Sequence, residues 1–241
     1  MNFKFSEINQ WYQTRSGIIN ASIIINSINK IFKISNDKKI LYLGQNSIIT
    51  KIMNSNDNFN SFYLSDTDSA DIRGELKNLP FEESSLDCII MIHSLDNEKD
   101  PHAAFREIDR VLKEDGEIII VGFNKTSFLG IFSLLPIKSI FRNKKYISIN
   151  RLSDWMKLFS YEIRHILNVN KIPPFKNQRL INFFYFLNNS IFSKINFFGN
   201  SYVFFANKKT YKYISVKNWH KKDNIILGKF AKPVVHNNYE K

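Results

Sequence analysis

Two strongly apolar runs, Leu86 to Ile92 and Glu117 to Val121, flank one segment with helical patterning, and this arrangement constrains the fold more than any other feature of the chain. A strand reading LDCIIMI has almost no polar side of its own, so both of its faces must be covered, as in the middle of a parallel sheet. Between the runs, Asp100-Pro101 supplies an acidic N-cap and a proline at the first helical position. Ala104, Phe105, Ile108, Val111 and Leu112 then recur at helical spacing, and Asp115-Gly116 turns the chain into the next strand. Strand, helix and strand joined this way make a βαβ unit.

The alternation extends in both directions. A leading helix is predicted over residues 8–33, with Ile19, Ile23, Ile24, Ile28 and Ile31 as the face that covers the sheet. Lys39 to Leu43 reads as a first strand ending at Gly44, Ile48 to Met53 as a short helix, and Phe59 to Leu64 as a second strand. A short third strand is predicted over Ile72 to Leu76, before Pro80 prevents a central ladder from continuing. Leu152 to Phe159 reads as a helix, and Tyr161 to Leu167 and Ser201 to Ala206 as two closing strands. The expected organisation is one domain over residues 1–207, with substrate-side insertions at about 125–150 and 171–200, followed by a basic, irregular tail over 208–241.

Composition removes several classes. Cys88 is the one cysteine, so neither an intramolecular disulfide nor a Cys-built metal site is expected, and no His/Asp/Glu cluster with ligand spacing replaces it. No apolar run approaches the roughly 20 residues of a membrane helix. Asn20, Asn26, Asn29 and Lys30 punctuate the Ile-rich segment from Ile18 to Phe32, unlike a secretory signal, and a cytoplasmic location is expected. The net charge of +12 is concentrated from Lys208 onward, where nine lysines stand against Asp223 and Glu240. That tail points to a nucleic acid or an anionic surface. An abundance of Asn, Ile and Lys throughout the chain, as an A/T-rich genome produces, is the competing explanation.

The stretch LPFEESSLDCIIMIHSLDNEKDPHAAFREIDRVLKEDGEIIIVGFN, from Leu79 to Asn124, resembles the class I S-adenosylmethionine-dependent methyltransferases of the type 11 domain group. The lead-in WYQTRSG, then GFNKTSFLG and GNSYVFFANKK, are similar to an uncharacterised bacterial branch of that group. The resemblance implies an α/β fold: a Rossmann-like, seven-stranded, mostly parallel sheet with helices on both faces and an antiparallel last strand. It also implies S-adenosylmethionine as cofactor, S-adenosylhomocysteine as product, no metal, and a cofactor lying across the carboxyl ends of the first strands.

The family's first motif is an acid followed by a glycine-rich loop. Here LYLGQNSI puts Tyr42 where the acid belongs and keeps only Gly44 of the glycines. The resemblance implies cofactor contacts at Leu43, Gly44, Gln45, Asp66, Glu75, Leu76 and His93, with Asp66 near the ribose and Glu75 and Leu76 at the adenine edge. It places His93 and Asn124 at the carboxyl edge of the sheet as candidate catalytic groups. Each of these residues also has a structural reading: Gly44 as a turn, Asp66 and Glu75 as surface carboxylates, and His93 as a packing residue. Phe123, Phe128, Phe132 and Trp155 wall an acceptor pocket or belong to the core. IHSLD stands where a nucleic-acid amino-methyltransferase would carry an Asn/Asp-Pro-Pro-Tyr/Phe motif, which speaks against base N-methylation and leaves a small molecule, a lipid-like compound or a protein side chain as acceptor, a small molecule being the first expectation. The alternative, motivated by Tyr42 and the missing glycines, is a non-catalytic methyltransferase-fold protein that binds a partner.

Overall fold

The computed structural model describes residues 5–54, 60–65, 70–127, 130, 146–170, 172, 177–190 and 199–209. One compact unit runs from Met1 to Thr210, and the following Tyr211–Lys241, which holds most of the basic tail, lies outside the described residues. The order is α1 (Phe5–Gln13), α2 (Arg15–Ile31), β1 (Ile40–Gly44), α3 (Asn46–Asn54), β2 (Ser61–Ser65), β3 (Ile72–Arg73), β4 (Leu86–Ile92), α4 (Pro101–Val111), β5 (Leu112–Phe123), α5 (Ile149–Leu158), β6 (Tyr161–Val169), α6 (Gln178–Ser190) and β7 (Ser201–Lys208). A single 3-10 turn, Leu95–Asn97, follows β4.

The seven strands form one sheet in the order β3-β2-β1-β4-β5-β7-β6. The pairs from β3 to β5 are parallel, and β7 runs antiparallel to both β5 and β6. This is the Rossmann-like sheet with an antiparallel last strand that the resemblance implied. Side chains alternate across it with the period of two that a pleated strand imposes. Ile40, Tyr42, Cys88, Ile90, Ile92, Ile119, Val121, Val203 and Phe205 face a core closed by α1, α2 and α3. Leu41, Leu43, Ile89, Met91, Ile118, Ile120 and Phe204 face the opposite core with Phe105, Ile108 and Trp155. Burial on both faces explains why β4 is apolar at nearly every position.

Helix α4 starts as predicted, with the Asp100 carboxylate accepting the Ala103 amide at 3.1 Å. The turn at Asp115-Gly116 falls inside β5 rather than before it. Leu86 pairs with Leu112 and Cys88 with Glu117, so residues 113–116 bulge out of the ladder, with Asp115 at φ +60°. The third strand is only Ile72–Arg73, because Glu75 turns back to bridge Asn78.

The leading helix predicted over 8–33 is two helices, broken at Thr14. Thr14 is the N-cap of α2 (ψ 159°), its hydroxyl accepting the Gly17 amide and donating to the Trp11 carbonyl at 2.6 Å. The sharp return needs glycine at 17, since a Cβ there would lie 2.1 Å from the Trp11 carbonyl oxygen. The buried face of α2 also differs from the predicted isoleucine stripe: Ile24 and Ile28 are buried, but so are Gly17, Ala21 and the fully enclosed Asn20.

Candidate cofactor and active site

The carboxyl ends of β1, β4 and β5 meet at one place. Gly44 ends β1 at φ +110°, and a Cβ there would sit 2.1 Å from the Ile92 carbonyl oxygen. The same carbonyl accepts the Gln45 amide at 2.9 Å. Gly44 is therefore required by the closeness of two strand ends, whatever binds beside them. Leu43 and Leu76 are buried in the apolar core of the other sheet face. Tyr42, at the position of the family's acid, is buried in the core under α2 and α3, and burial pushes its hydroxyl well above the ordinary tyrosine range.

Beyond β4 the chain turns at His93, which has φ +55° and donates its amide to the Val121 carbonyl at 2.8 Å. Its ring is fully buried and stacked on Phe123, centroids 3.8 Å apart. Nδ1 lies 3.2 Å from Asp96 Oδ2, and the Tyr12 hydroxyl lies 2.6 Å from Nε2. An ionised carboxylate only accepts, so Nδ1 carries the ring proton, and Nε2 accepts from the tyrosine. Asn20 Nδ2 donates to the Tyr12 hydroxyl at 3.3 Å, and Asn170 Nδ2 donates to Asn20 Oδ1 at 3.0 Å. A buried polar chain thus runs from Asp96 through His93 and Tyr12 into α2. Burial, with the Asp96 carboxylate nearby, holds the Tyr12 hydroxyl far above its usual range and therefore neutral.

Helix α1 closes this place from above. Tyr12 reaches His93, Asn9 accepts from the Gln45 side-chain amide, and Trp11 packs edge-on against Phe123. Gln45 Oε1, Ser94 Oγ and Asp96 Oδ1, which stand at these strand ends, are among the buried oxygens with no hydrogen-bond partner in the described residues. The second carboxylate oxygen of Asp96 is satisfied by the Phe123 amide at 3.0 Å. All three orphaned atoms can accept hydrogen bonds, and all lie on the residues that leave β1 and β4.

Gly44, Gln45 and His93, expected from sequence, are brought together here. Asn124 is at the end of β5 but is held by the scaffold, its Oδ1 accepting from Thr126 and its Nδ2 donating to Asn168 Oδ1 at 3.2 Å. Glu75 is exposed in its turn. Asp66, Phe128 and Phe132 lie outside the described residues. Trp155 packs on His102 and Phe105 in the opposite core. Glu107 and Arg110 of α4 form an ion pair at 2.7 Å that also binds the backbone of Leu79 and Phe81. Sequence reasoning singled out neither Tyr12, Ser94 nor Asp96. Tyr12 stood within the conspicuous lead-in WYQTRSG, and Ser94 and Asp96 within IHSLD.

Strand ends, a buried polar cluster beside them and the order 3-2-1-4-5-7-6 together select one architecture, and the comparisons agree. A family model for the methyltransferase domain, type 11, matches residues 51–120. This chain has the class I methyltransferase fold. A S-adenosylmethionine-dependent methyltransferase structure from Thermotoga maritima, described as a possible histamine N-methyltransferase, superposes with a TM-score of 0.60 at 17% identity, covering 85% of this chain and 96% of that one. A SAM-dependent methyltransferase from Archaeoglobus fulgidus gives 0.59 at 13% identity, over 85% and 99% of the two chains. In sequence, the uncharacterised Escherichia coli K12 protein YafS is 35% identical over 104 residues, 42% of this chain and 43% of that protein. The matched stretch thus spans less than half of that relative's length. The methyltransferase fold locates the cluster described above at the carboxyl edge where doubly wound sheets bind their ligands.

Proposed function

We propose that the chain binds S-adenosylmethionine at the carboxyl ends of β1 and β4 and transfers its methyl group to a small-molecule acceptor. The observation that carries this reading is the trio of buried, unpartnered acceptors, Gln45 Oε1, Ser94 Oγ and Asp96 Oδ1. A buried polar atom left unpaired costs about 1–3 kcal/mol, so such atoms gathered at a ligand-binding edge call for a donor from outside the chain. The cofactor's amino-acid end carries an ammonium group, a donor of the charge that an aspartate and two neutral oxygens complement. The fit supports the cofactor despite Tyr42, because Asp96 supplies a carboxylate from the neighbouring strand end.

When bound, the cofactor supplies a methyl group on a positively charged sulfur, already activated for in-line attack. The chain's own part is positioning and exclusion of water. Asp96 fixes the tautomer of His93, which leaves Nε2 as the atom able to take a proton. Tyr12 occupies that atom, so an acceptor hydroxyl reaches it only by displacing the tyrosine, and α1 shields the cluster from solvent.

Calorimetric titration of the full chain with S-adenosylmethionine and S-adenosylhomocysteine tests the reading. Saturable binding is expected, weakened about tenfold or more by Asp96→Asn, since hydrogen bonds to charged groups contribute about 1.5–3 kcal/mol. Absence of binding by folded wild-type protein would reject it. That outcome would favour a non-catalytic methyltransferase fold, for which Tyr42 in the core and the contacts of α1 with Gln45 and His93 speak.

A further inference from the structure

Helix α6 turns an apolar face outward. Ile181 is buried, but Phe183 and Phe186 are 56% and 66% exposed, with Leu180 and Tyr185 exposed beside them. Residues 179, 183 and 186 share one side of a helix, so exposed Arg179 stands at one end of the phenylalanine face. Across from it, Arg15 at the start of α2 donates to Asn182 at 3.4 Å, and Ile18, one turn further along α2, is exposed as well. Such a face, apolar in the middle with guanidinium groups at its border, has the character of an interfacial helix.

The distribution of charge along the sequence indicates what it meets. Residues 1–117 carry 13 Lys and Arg against 18 Asp and Glu, while residues 118–222 carry 18 against Asp154 and Glu162 alone. No acid stands between Glu162 and Asp223, the stretch that contains α6. A codon bias acts on both halves of a gene alike and does not produce this asymmetry. A second copy of the chain is a poor occupant, since neither α2 nor α6 contains an acid to pair with Arg15 or Arg179 of the copy. Nucleic acid asks for cations spaced along phosphates, whereas this face offers mostly hydrocarbon.

We infer that α6, with the start of α2, docks the protein peripherally on an anionic lipid bilayer, the phenylalanines entering the interface and the arginines meeting lipid phosphates. No helix among the described residues is long and apolar enough to cross a membrane, so docking is at the surface. The contact lies beside the α1–α2 junction, near the cover of the candidate active site.

Flotation of the full chain with vesicles of phosphatidylcholine alone, and of phosphatidylcholine with phosphatidylglycerol, tests the inference. Wild-type protein is expected to float with the anionic vesicles only and to be released by salt. The double variant Phe183→Ser/Phe186→Ser, shown to be folded by an unchanged melting curve, is expected to lose at least about tenfold in vesicle affinity. Arg179→Glu, which removes no buried group, is expected to weaken binding in the same direction. Equal flotation of wild type and double variant would overturn the inference by assigning the contact to the basic tail. No flotation would overturn it too, whether the double variant instead loses salt-dependent retention on single-stranded RNA or a concentration-dependent dimer.

Discussion

Tyr12 and Gly44 show how single residues set this molecule's constraints. The Tyr12 hydroxyl donates to the buried Nε2 of His93 at 2.6 Å, and Tyr12→Phe removes that hydrogen bond inside a closed site. A loss of about 1–3 kcal/mol in urea unfolding is expected. His93 is also expected to react faster with diethyl pyrocarbonate in the variant, a readout that a general loss of packing far from the ring would not give. At Gly44, an added Cβ meets the Ile92 carbonyl and the backbone sits at φ +110°. Gly44→Ala is therefore expected to cost about 1–3 kcal/mol in stability even with no cofactor present. Measuring unfolding with and without S-adenosylmethionine separates this backbone role from ligand binding. The glycine was legible in sequence as a motif position, but its reason is a neighbouring strand end that only folding brings near.

Among the elements, α1 and α4 are the informative pair. Helix α1 is defined by a stop, not by its own propensity: the Thr14 cap and the close approach at Gly17 turn what reads as one amphipathic helix into a lid and a cover. Thr14→Ala is expected to cost about 1 kcal/mol and to raise hydrogen exchange of α1 before that of the sheet. Helix α4 was predicted to its first residue, because its cap, proline and apolar spacing are all local. Its Glu107 carboxyl is held below the ordinary carboxylate range, first by the hydrogen bond from Arg110 and also by the Leu79 amide, against the opposing effect of burial. A lowered folded value means that its stabilisation is complete above the unfolded carboxyl pKa of about 4.3 and is lost as pH falls through the folded value. Glu107→Gln is accordingly expected to flatten the acid limb of a stability-versus-pH curve while lowering stability at neutral pH.

For the whole molecule, a ligand that binds only the folded chain stabilises it by mass action, by about 2.7 kcal/mol at a hundredfold excess over Kd. S-adenosylmethionine is expected to raise the melting temperature of the wild type, and of Asp96→Asn far less at the same concentration. The sequence by itself determined the class of fold, since runs apolar at every position, such as Leu86–Ile92, must be covered on both faces and so belong to the centre of a parallel sheet. It also determined where α4 begins and which strand ends carry Gly44, Gln45 and His93, because those signals lie within a few residues of one another. Only the tertiary structure decided that Tyr12, His93 and Asp96 form one buried chain, that Asn20 faces inward, and that Asn124 is engaged by Thr126 and Asn168. These facts rest on contacts between residues far apart in sequence, 81 positions for Tyr12 and His93 and 150 for Asn20 and Asn170, where burial and hydrogen bonding outweigh any local preference.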